Sequence, residues 1–422
     1  MINLKGYSKL VKTCLSILVL FSFFYSFITG EDSLGGAEHD YIQNNIFLQN
    51  FTENFSLAIQ NYGISGHEVR NLPVFNIILA QFVNLGFEIS NLKYLNLLVL
   101  TLIIIFFLKS IKVEYRYLSL ETKIIFSSLI LLSPTIRSLV NYPFPFLWAI
   151  CFFIISIFFY LNFKNYKLNK LKNALYCVLY LSLASYMTPN FCVFLIIYLS
   201  KFFIEYKFSK KFFQICGFSI ILSLPALSFL IWKDFYIFKN EVFEVTFFEK
   251  FNISNKILII SSFVFLFFIP NLTKTDLKKL SLTSITQENK IYIILFFLLS
   301  IIFFDFKIGA GGGIFYQFSQ LLLNNNIFLF FVFFVSLFIF DLSKLYNFEN
   351  FLIFFVLVLY NPQYTIYYKY FDPLLLFIFL FIVNIKRNNN FNIDTLGKKY
   401  FIFYVLFLLL NIFKNDLKFL LV

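Results

Sequence analysis

Titratable side chains are concentrated in one hydrophilic segment, residues 30–72, of a chain that is otherwise rich in Phe, Ile and Leu. The segment contains both histidines of the protein together with six acidic residues and one arginine: His39, His67, Glu31, Asp32, Glu38, Asp40, Glu53, Glu68 and Arg70. A carboxylate within hydrogen-bonding distance of a reacting hydroxyl can act as its general base. We expect Asp40 to play this role, with Asp32 and then Glu38 as the next candidates.

The rest of the chain is too apolar for a soluble protein. Of its 422 residues 60% are hydrophobic and 14% charged, whereas soluble domains are about 45–50% apolar. Apolar stretches long enough, or nearly so, to cross a bilayer as helices recur from end to end. They lie near residues 11–29, 90–109, 122–134, 145–162, 172–185, 189–204, 212–231, 256–270, 290–305, 325–341, 350–361, 371–385 and 399–414. The pattern predicts an all-α polytopic transmembrane bundle of 11–14 spans.

The net charge of +13 reports topology and does not indicate a nucleic-acid partner. Lysines cluster in alternate short loops, as the positive-inside rule predicts for cytoplasmic loops. This alternation predicts a cytoplasmic N-terminus. It assigns residues 30–72, 135–144, 186–188, 232–255, 306–324 and 362–370 to the outer face. We therefore expect an integral protein of a bacterial inner (plasma) membrane whose acidic segment lies outside.

The first outer segment has its own predicted helices. Residues 41–60 repeat apolar side chains at spacings of three and four, which indicates an amphipathic helix in the membrane interface. Residues 73–88 begin with Pro73 and predict either a second interfacial helix or an extension of the apolar stretch at residues 90–109. No linker divides the chain, so we predict one membrane domain over residues 1–422, with residues 30–89 as its catalytic loop.

Two motifs in the first quarter of the chain carry a family resemblance. They are GEDSLGGAEHDYI at residues 30–42, with Glu38 and Asp40, and HEVRNLPVFNIILAQF at residues 67–82. With the predicted topology, they resemble the GT-C membrane glycosyltransferases, which include the protein O-mannosyltransferases and the lipid A aminoarabinose transferases. The resemblance implies a GT-C fold and transfer of a sugar from a polyprenyl-phosphate-linked donor to a glycan, lipid or protein acceptor on the outer face.

Such a transfer needs cations where the leaving phosphate gains negative charge. The candidates on the predicted outer face are Arg70, Arg137, Lys307 and Lys369. Tyr368 lies beside Lys369 in a tyrosine-rich stretch that could hold a phosphate or a sugar, or form an interfacial aromatic belt. His39 and His67 could orient the acceptor. One base suffices if the configuration at the anomeric carbon inverts.

Other functions are compatible with the same pattern. A transporter or flippase of lipid-linked saccharides would place polar groups near the middle of the membrane. An O-antigen polymerase or ligase would use a lipid diphosphate donor. The acids of residues 30–72 could also form a solvated outer loop without catalytic function. No cofactor is expected, and two histidines without a defined spacing leave a divalent metal as an open alternative.

Overall fold

The computed structural model describes residues 4–63, 71–115, 119–239, 252–272, 287–307, 311–342, 348–383 and 393–421. These residues form helices and connecting turns, with no β-strand among them. The contacts between helices divide the chain into two compact units, residues 1–242 with 393–422, and residues 243–392. The single domain over residues 1–422 stays a prediction.

The first unit contains most of the helices. They are α1 Leu4–Thr29, α2 Ala37–Glu53, α3 Phe55–Asn61, α4 Val74–Asn84, α5 Lys93–Tyr115, α6 Leu120–Leu132, α7 Pro134–Asn141, α8 Pro145–Asn165, α9 Lys170–Met187, α10 Phe194–Tyr206, α11 Lys210–Trp232, α12 Tyr236–Lys239 and the C-terminal Ile393–Leu421. Helix α8 is the centre of its core and packs against α5 and α9, while α6 packs against α1 and the C-terminal helix. Thr122 of α6 also donates a hydrogen bond to Asp394 of the C-terminal helix.

The second unit is built around α13, Ile253–Phe268. Its other helices are α14 Gln287–Ile302, α15 Gly313–Leu323, α16 Ile327–Leu342, α17 Phe348–Tyr360 and α18 Leu374–Phe377, and a π-helical turn at Ile378–Ile382 continues α18. Helix α13 packs against α14 to α18. The C-terminal helix Ile393–Leu421, which belongs to the first unit, is α19.

Six helical segments in the described part of the chain are long and apolar enough to cross a membrane. They are Ile89–Tyr115, Pro145–Asn165, Pro189–Tyr206, Lys210–Trp232, Ile253–Asn271 and Ile393–Phe413. The pair α6–α7 passes the same test if it is counted as one bent span. The protein is thus an integral membrane protein, as its composition predicts.

Within the described residues, each of the thirteen apolar stretches found in the sequence contains helical structure. The stretch at residues 371–385 is the least regular, because it contains only the short α18 and the π-helical turn. Shorter apolar helices, Cys14–Thr29, Val74–Asn84, Ile327–Leu337 and Phe348–Tyr360, accompany the six long segments among the described residues. A bundle of 11–14 spans stays a prediction, since length and composition support six or seven spans.

A sharp bend separates α6 from α7. The two helices differ in direction by 63°. Ser133 has an extended backbone at the break, and its hydroxyl accepts a hydrogen bond from the amide of Ile136 at 3.2 Å. Pro134 is the first residue of α7, where its missing N–H costs nothing. All eight residues of α7 are buried. The segment expected as an outer loop, residues 135–144, is therefore mostly a buried helix that has an N-cap of its own.

Much of the acidic segment is helical, and its predicted amphipathic helix is divided into α2 and α3. Asn54 has an extended backbone between α2 and α3, and its side chain accepts a hydrogen bond from the amide of Leu57 at 3.0 Å. Asn is a favoured N-cap, so Asn54 both ends α2 and begins α3. Helix α2 packs against α4. The location of these helices in the membrane interface stays a prediction.

Two tyrosines, one at the end of α3 and one in α12, form hydrogen bonds to the same backbone carbonyl. The hydroxyls of Tyr62 and Tyr236 both donate to the carbonyl of Asn71, at 3.2 and 2.6 Å. Burial raises the pKa of both phenols above its usual value, so both remain donors at neutral pH. Gly63 lies directly against the ring of Tyr236 with a φ of +79°, and a Cβ there would come within 2.5 Å of the ring. Only glycine fits this position.

We expect Gly63→Ala to lower the thermal unfolding midpoint more than Gly86→Ala. Both residues have a positive φ, but nothing lies within 4 Å of a Cβ built on Gly86. Backbone strain should cost about 1–2 kcal/mol in each variant, and the clash with Tyr236 should add roughly 1–3 kcal/mol in the first. Equal midpoints for the two purified variants would show that Gly63 does not set the packing of this segment.

Candidate functional site

The carboxylate of Asp32 builds the turn that connects α1 to α2. Its Oδ1 accepts from the amide of Gly35 at 3.0 Å, and its Oδ2 accepts from the amides of Gly36 and Ala37 at 2.6 and 2.7 Å. These amides belong to the N-terminal end of α2, where the helix dipole favours negative charge. Asp32 is therefore the anionic cap of α2. Both of its carboxylate oxygens are engaged by the backbone.

Glu38, His39 and Asp40 lie in the first turn of α2. Glu38 and His39 are exposed, and Asp40 is half-buried. Tyr142, which follows α7, approaches the same turn: its ring lies 6.0 Å from that of Tyr41, between centroids. The three candidate carboxylates therefore lie close together beside α7: Glu38 and Asp40 in the first turn of α2, and Asp32 as its cap.

Tyr142 keeps its proton in this acidic surrounding. Its hydroxyl donates to the carbonyl of Gly30 at 2.6 Å. Burial is the main cause that raises the pKa of Tyr142, and the negative charges of Glu38 and Asp32 raise it further. Tyr142 is therefore a neutral hydrogen-bond donor at physiological pH, and it holds the end of α1 next to α7.

Arg137 is the buried cation of the site. Its side chain is 2% exposed, and it pairs with Glu31, which is 26% exposed, at 3.0 Å between Nη2 and Oε2. The guanidinium also donates to Ser22 of α1, from Nη1 to Oγ at 3.1 Å and from Nη2 to the carbonyl oxygen at 3.0 Å. Ser33 donates to the other oxygen of Glu31. Arg137 thus connects α7 to the last turns of α1 and to the acidic segment.

Two further side chains of α7 hold the acidic segment by its backbone. The hydroxyl of Ser138 accepts from the amide of Leu34 at 2.8 Å. The side-chain amide of Asn141 donates to the backbone carbonyls of Ser26 and Glu31, at 3.1 and 2.9 Å. Because successive side chains of one short buried helix make these bonds, the acidic segment has a defined position relative to Arg137.

Helix α7 is in turn fixed from its opposite side. Asn96 of α5 donates to the carbonyl of Leu139 at 2.9 Å, and Trp148 of α8 donates to the side-chain oxygen of Asn96 at 3.1 Å. Asn96 thereby satisfies a backbone carbonyl that the short helix leaves open at its C-terminal end, and Trp148 holds Asn96 in place. The support of α7 therefore comes from the two helices that form the core of the unit.

Three buried polar atoms of this cluster have no hydrogen-bond partner among the described residues. They are Arg137 Nε, Ser26 Oγ and Asn141 Oδ1. The three side chains are 2%, 1% and 7% exposed. Buried polar groups without a partner are uncommon and point to a bound water or ligand. The surroundings of Arg137 can therefore form further hydrogen bonds, in which Nε donates and Asn141 Oδ1 accepts.

The remaining predicted site residues lie either outside the described residues or in the second unit. His67 and Arg70 lie outside the described residues. Lys369 and Tyr368 belong to the second unit. There the ammonium group of Lys369 lies over the rings of Tyr367 and Tyr370, at 5.2 and 5.5 Å from their centroids. The tyrosine-rich stretch thus holds its lysine by cation–π contacts.

Within the described residues, no group of three or more His, Cys, Asp or Glu is placed to hold a metal ion. The structure also brings into the site residues that the sequence did not single out. Glu31 was predicted only as one of many acids, and Ser22, Ser138 and Asn141 were not considered. A Ser-Pro pair is a helix-start signal, and applied to Ser133 it would have predicted α7.

No family model, no curated protein and no solved structure matches this chain. The resemblance to the GT-C glycosyltransferases therefore rests on the motifs and the predicted topology. The geometry around Arg137 stands independently of that resemblance.

We expect Asp32→Ala to destabilise the protein by about 1–2 kcal/mol, because the amides at the start of α2 lose their cap. The control is Glu38→Ala, which removes the same charge from an exposed position in the same turn and should cost only a few tenths of a kcal/mol. Thermal unfolding of both variants tests this difference. If Glu38→Ala were as costly as Asp32→Ala, the charge and not the capping geometry would be what stabilises α2.

Proposed function

We propose that the protein is an integral membrane glycosyltransferase of the GT-C type in a bacterial inner membrane. It would transfer a sugar from a polyprenyl-phosphate-linked donor to a glycan, lipid or protein acceptor on the outer face. The observation that carries this proposal is the connection of an acidic helix start to a buried arginine. Asp32, Glu38 and Asp40 belong to the same segment as Glu31, which pairs with Arg137.

The reaction assigns different tasks to the acid and the cation. A carboxylate takes the proton of the acceptor hydroxyl while its oxygen forms a bond to the anomeric carbon. The bond between that carbon and the phosphate oxygen breaks, and its electron pair stays on the phosphate. A guanidinium next to that oxygen stabilises the negative charge in a site with little water. No metal is required by this scheme.

Asp40 is the proposed base and Arg137 the proposed phosphate ligand. Asp40 is preferred because Asp32 is the cap of α2 and Glu38 is exposed. His39, on the same turn, would contact the acceptor. His67 and Arg70 are proposed for further contacts to the donor phosphate or sugar.

A lipid-linked donor fits the chemistry of an integral membrane protein. Its apolar chain can reach the site through the bilayer, while the phosphate meets a cation near the surface. With a cytoplasmic N-terminus, the C-terminal end of α1 and the acidic segment after it would lie on the outer face. Displacement at the anomeric carbon by a single base would invert its configuration.

The second candidate is a transporter or flippase for lipid-linked saccharides. It is favoured by the polar side chains of Ser22, Ser26, Arg137 and Asn141 that line the contact between α1 and α7. Ionisable residues among membrane helices often mark a substrate path. In this case the same arginine would bind a phosphate in transit, and no bond would break.

The test uses the purified protein in lipid nanodiscs and liposomes with a panel of radiolabelled polyprenyl-phosphate sugars. We expect turnover of one donor, and Asp40→Asn should lower kcat by about 10²- to 10⁴-fold, as expected for loss of a general base. Glu53→Gln is the matched control, because Glu53 is an exposed acid at the end of the same helix. It should keep wild-type turnover.

Two results would contradict the proposal. Equal turnover by wild type and Asp40→Asn would remove Asp40 from the mechanism. Movement of a donor across the liposome membrane without release of sugar would identify the protein as a transporter.

A further inference from the structure

The guanidinium of Arg137 has two edges, and the structure fills them differently. The edge formed by Nη1 and Nη2 contacts Ser22, through its hydroxyl and its carbonyl oxygen. The edge formed by Nε and Nη2 contacts Glu31 through Nη2 alone. Nε is buried and has no hydrogen-bond partner among the described residues. One edge is thus structural, and the other is only half used.

Glu31 does not complete the second edge because its other oxygen is engaged elsewhere. Glu31 Oε1 accepts a hydrogen bond from the hydroxyl of Ser33, while Oε2 contacts Arg137. Side-on arginine pairs usually use both nitrogens of the edge for the two oxygens of one anion. Glu31 and Arg137 therefore form a single contact where a two-point contact would be possible, although Arg137 is nearly inaccessible to water.

A second unused donor lies on the same face of α1. Ser26 is one helical turn after Ser22, so that both side chains face the same side of the helix. The hydroxyl of Ser26 is buried and has no partner among the described residues. Asn141, whose side-chain amide donates to the carbonyls of Ser26 and Glu31, holds Ser26 close to the start of the acidic segment.

The unequal exposure of the two partners indicates which one can leave. Arg137 is 2% exposed and is fixed by Ser22, whereas Glu31 is 26% exposed. Glu31 also follows Gly30, whose φ of +68° marks the turn out of α1. An anion that approaches Arg137 from the surface therefore meets Glu31 first and must replace it.

We propose that Glu31 is a displaceable counter-ion that occupies the phosphate site of Arg137. On this proposal, which rests on the proposed function, the phosphate of the lipid carrier replaces the carboxylate and contacts both Nε and Nη2. A phosphate has more acceptor oxygens than a carboxylate and can also reach a hydroxyl such as that of Ser26. Glu31 then moves toward water. No covalent bond changes in this exchange.

The exchange has two consequences for the enzyme. In the empty state Glu31 neutralises a buried guanidinium that would otherwise be costly. In the donor complex the same carboxylate competes with the phosphate, so that only an anion with a stronger bidentate contact is retained. Glu31 is thereby a positioning and specificity residue, and the acid–base step remains with Asp40.

The test measures binding of farnesyl phosphate, a short isoprenyl phosphate, to the full-length protein in phosphatidylcholine nanodiscs. Farnesol tests the apolar chain without phosphate, and inorganic phosphate tests the anion without the chain. We expect Glu31→Gln to bind farnesyl phosphate about tenfold more tightly than wild type, because the competing charge is gone. Glu53→Gln removes the same charge from an exposed position and should bind like wild type.

Arg137→Gln should bind farnesyl phosphate at least tenfold more weakly, and farnesol should bind all variants equally. If Arg137→Gln does not fold, as judged by its thermal unfolding, the comparison of Glu31→Gln with Glu53→Gln decides alone. Binding by Glu31→Gln that is no tighter than by Glu53→Gln would overturn the exchange and leave the pair structural, with the proposed function intact.

Two other binding results would overturn more than the exchange itself. Absence of farnesyl phosphate binding in every variant would overturn the proposed function together with this inference. Tighter binding of inorganic phosphate alone, without farnesyl phosphate, would overturn the lipid carrier as the ligand.

Discussion

The structure of the first unit depends on the burial of one charged side chain. A guanidinium taken out of water costs several kcal/mol unless it is paired and hydrogen-bonded. Because Arg137 is 2% exposed, its partners on α1 and in the acidic segment must lie within hydrogen-bonding distance of the guanidinium. Ser22 supplies two acceptors and Glu31 supplies the opposite charge. Through these contacts one residue of α7 determines how α1 ends and where the acidic segment begins.

The break between α6 and α7 is what makes this arrangement possible. A continuous helix would have carried residues 134–141 in the direction of α6, whereas the 63° bend turns them toward the end of α1. Short buried helices leave backbone groups open at both ends. Here Ser133 satisfies the first turn and Asn96 the last carbonyls. The result is a small polar helix whose side chains all face packed neighbours, which is a suitable support for a charged site in an apolar protein.

Much of the fold could be predicted from the sequence, because apolar stretches of membrane length carry a strong signal. Each of the thirteen stretches contains helix in the part of the chain that the structure describes. The hydrogen bonds and ion pairs between polar side chains were harder to predict from the sequence. Residues 135–144 have mixed polarity and suggest a loop, although Ser133 and Pro134 form a helix start. The pairing of Glu31 with Arg137 joins positions 106 residues apart, and nothing in either local sequence encodes that distance. Asp32 was predicted as a candidate base, but its role as a cap follows from the turn made by Gly35 and Gly36.

The most direct measurement of the central claim is a double-mutant cycle on the unfolding free energy with Glu31→Gln, Arg137→Gln and the double variant in one detergent. If the two side chains form the ion pair that fixes α7 to the acidic segment, the coupling energy should be about 1–3 kcal/mol. The double variant should then be more stable than the sum of the single effects predicts, because it leaves no unpaired buried charge. A coupling energy of zero would show that Arg137 and Glu31 act independently, and would contradict the account.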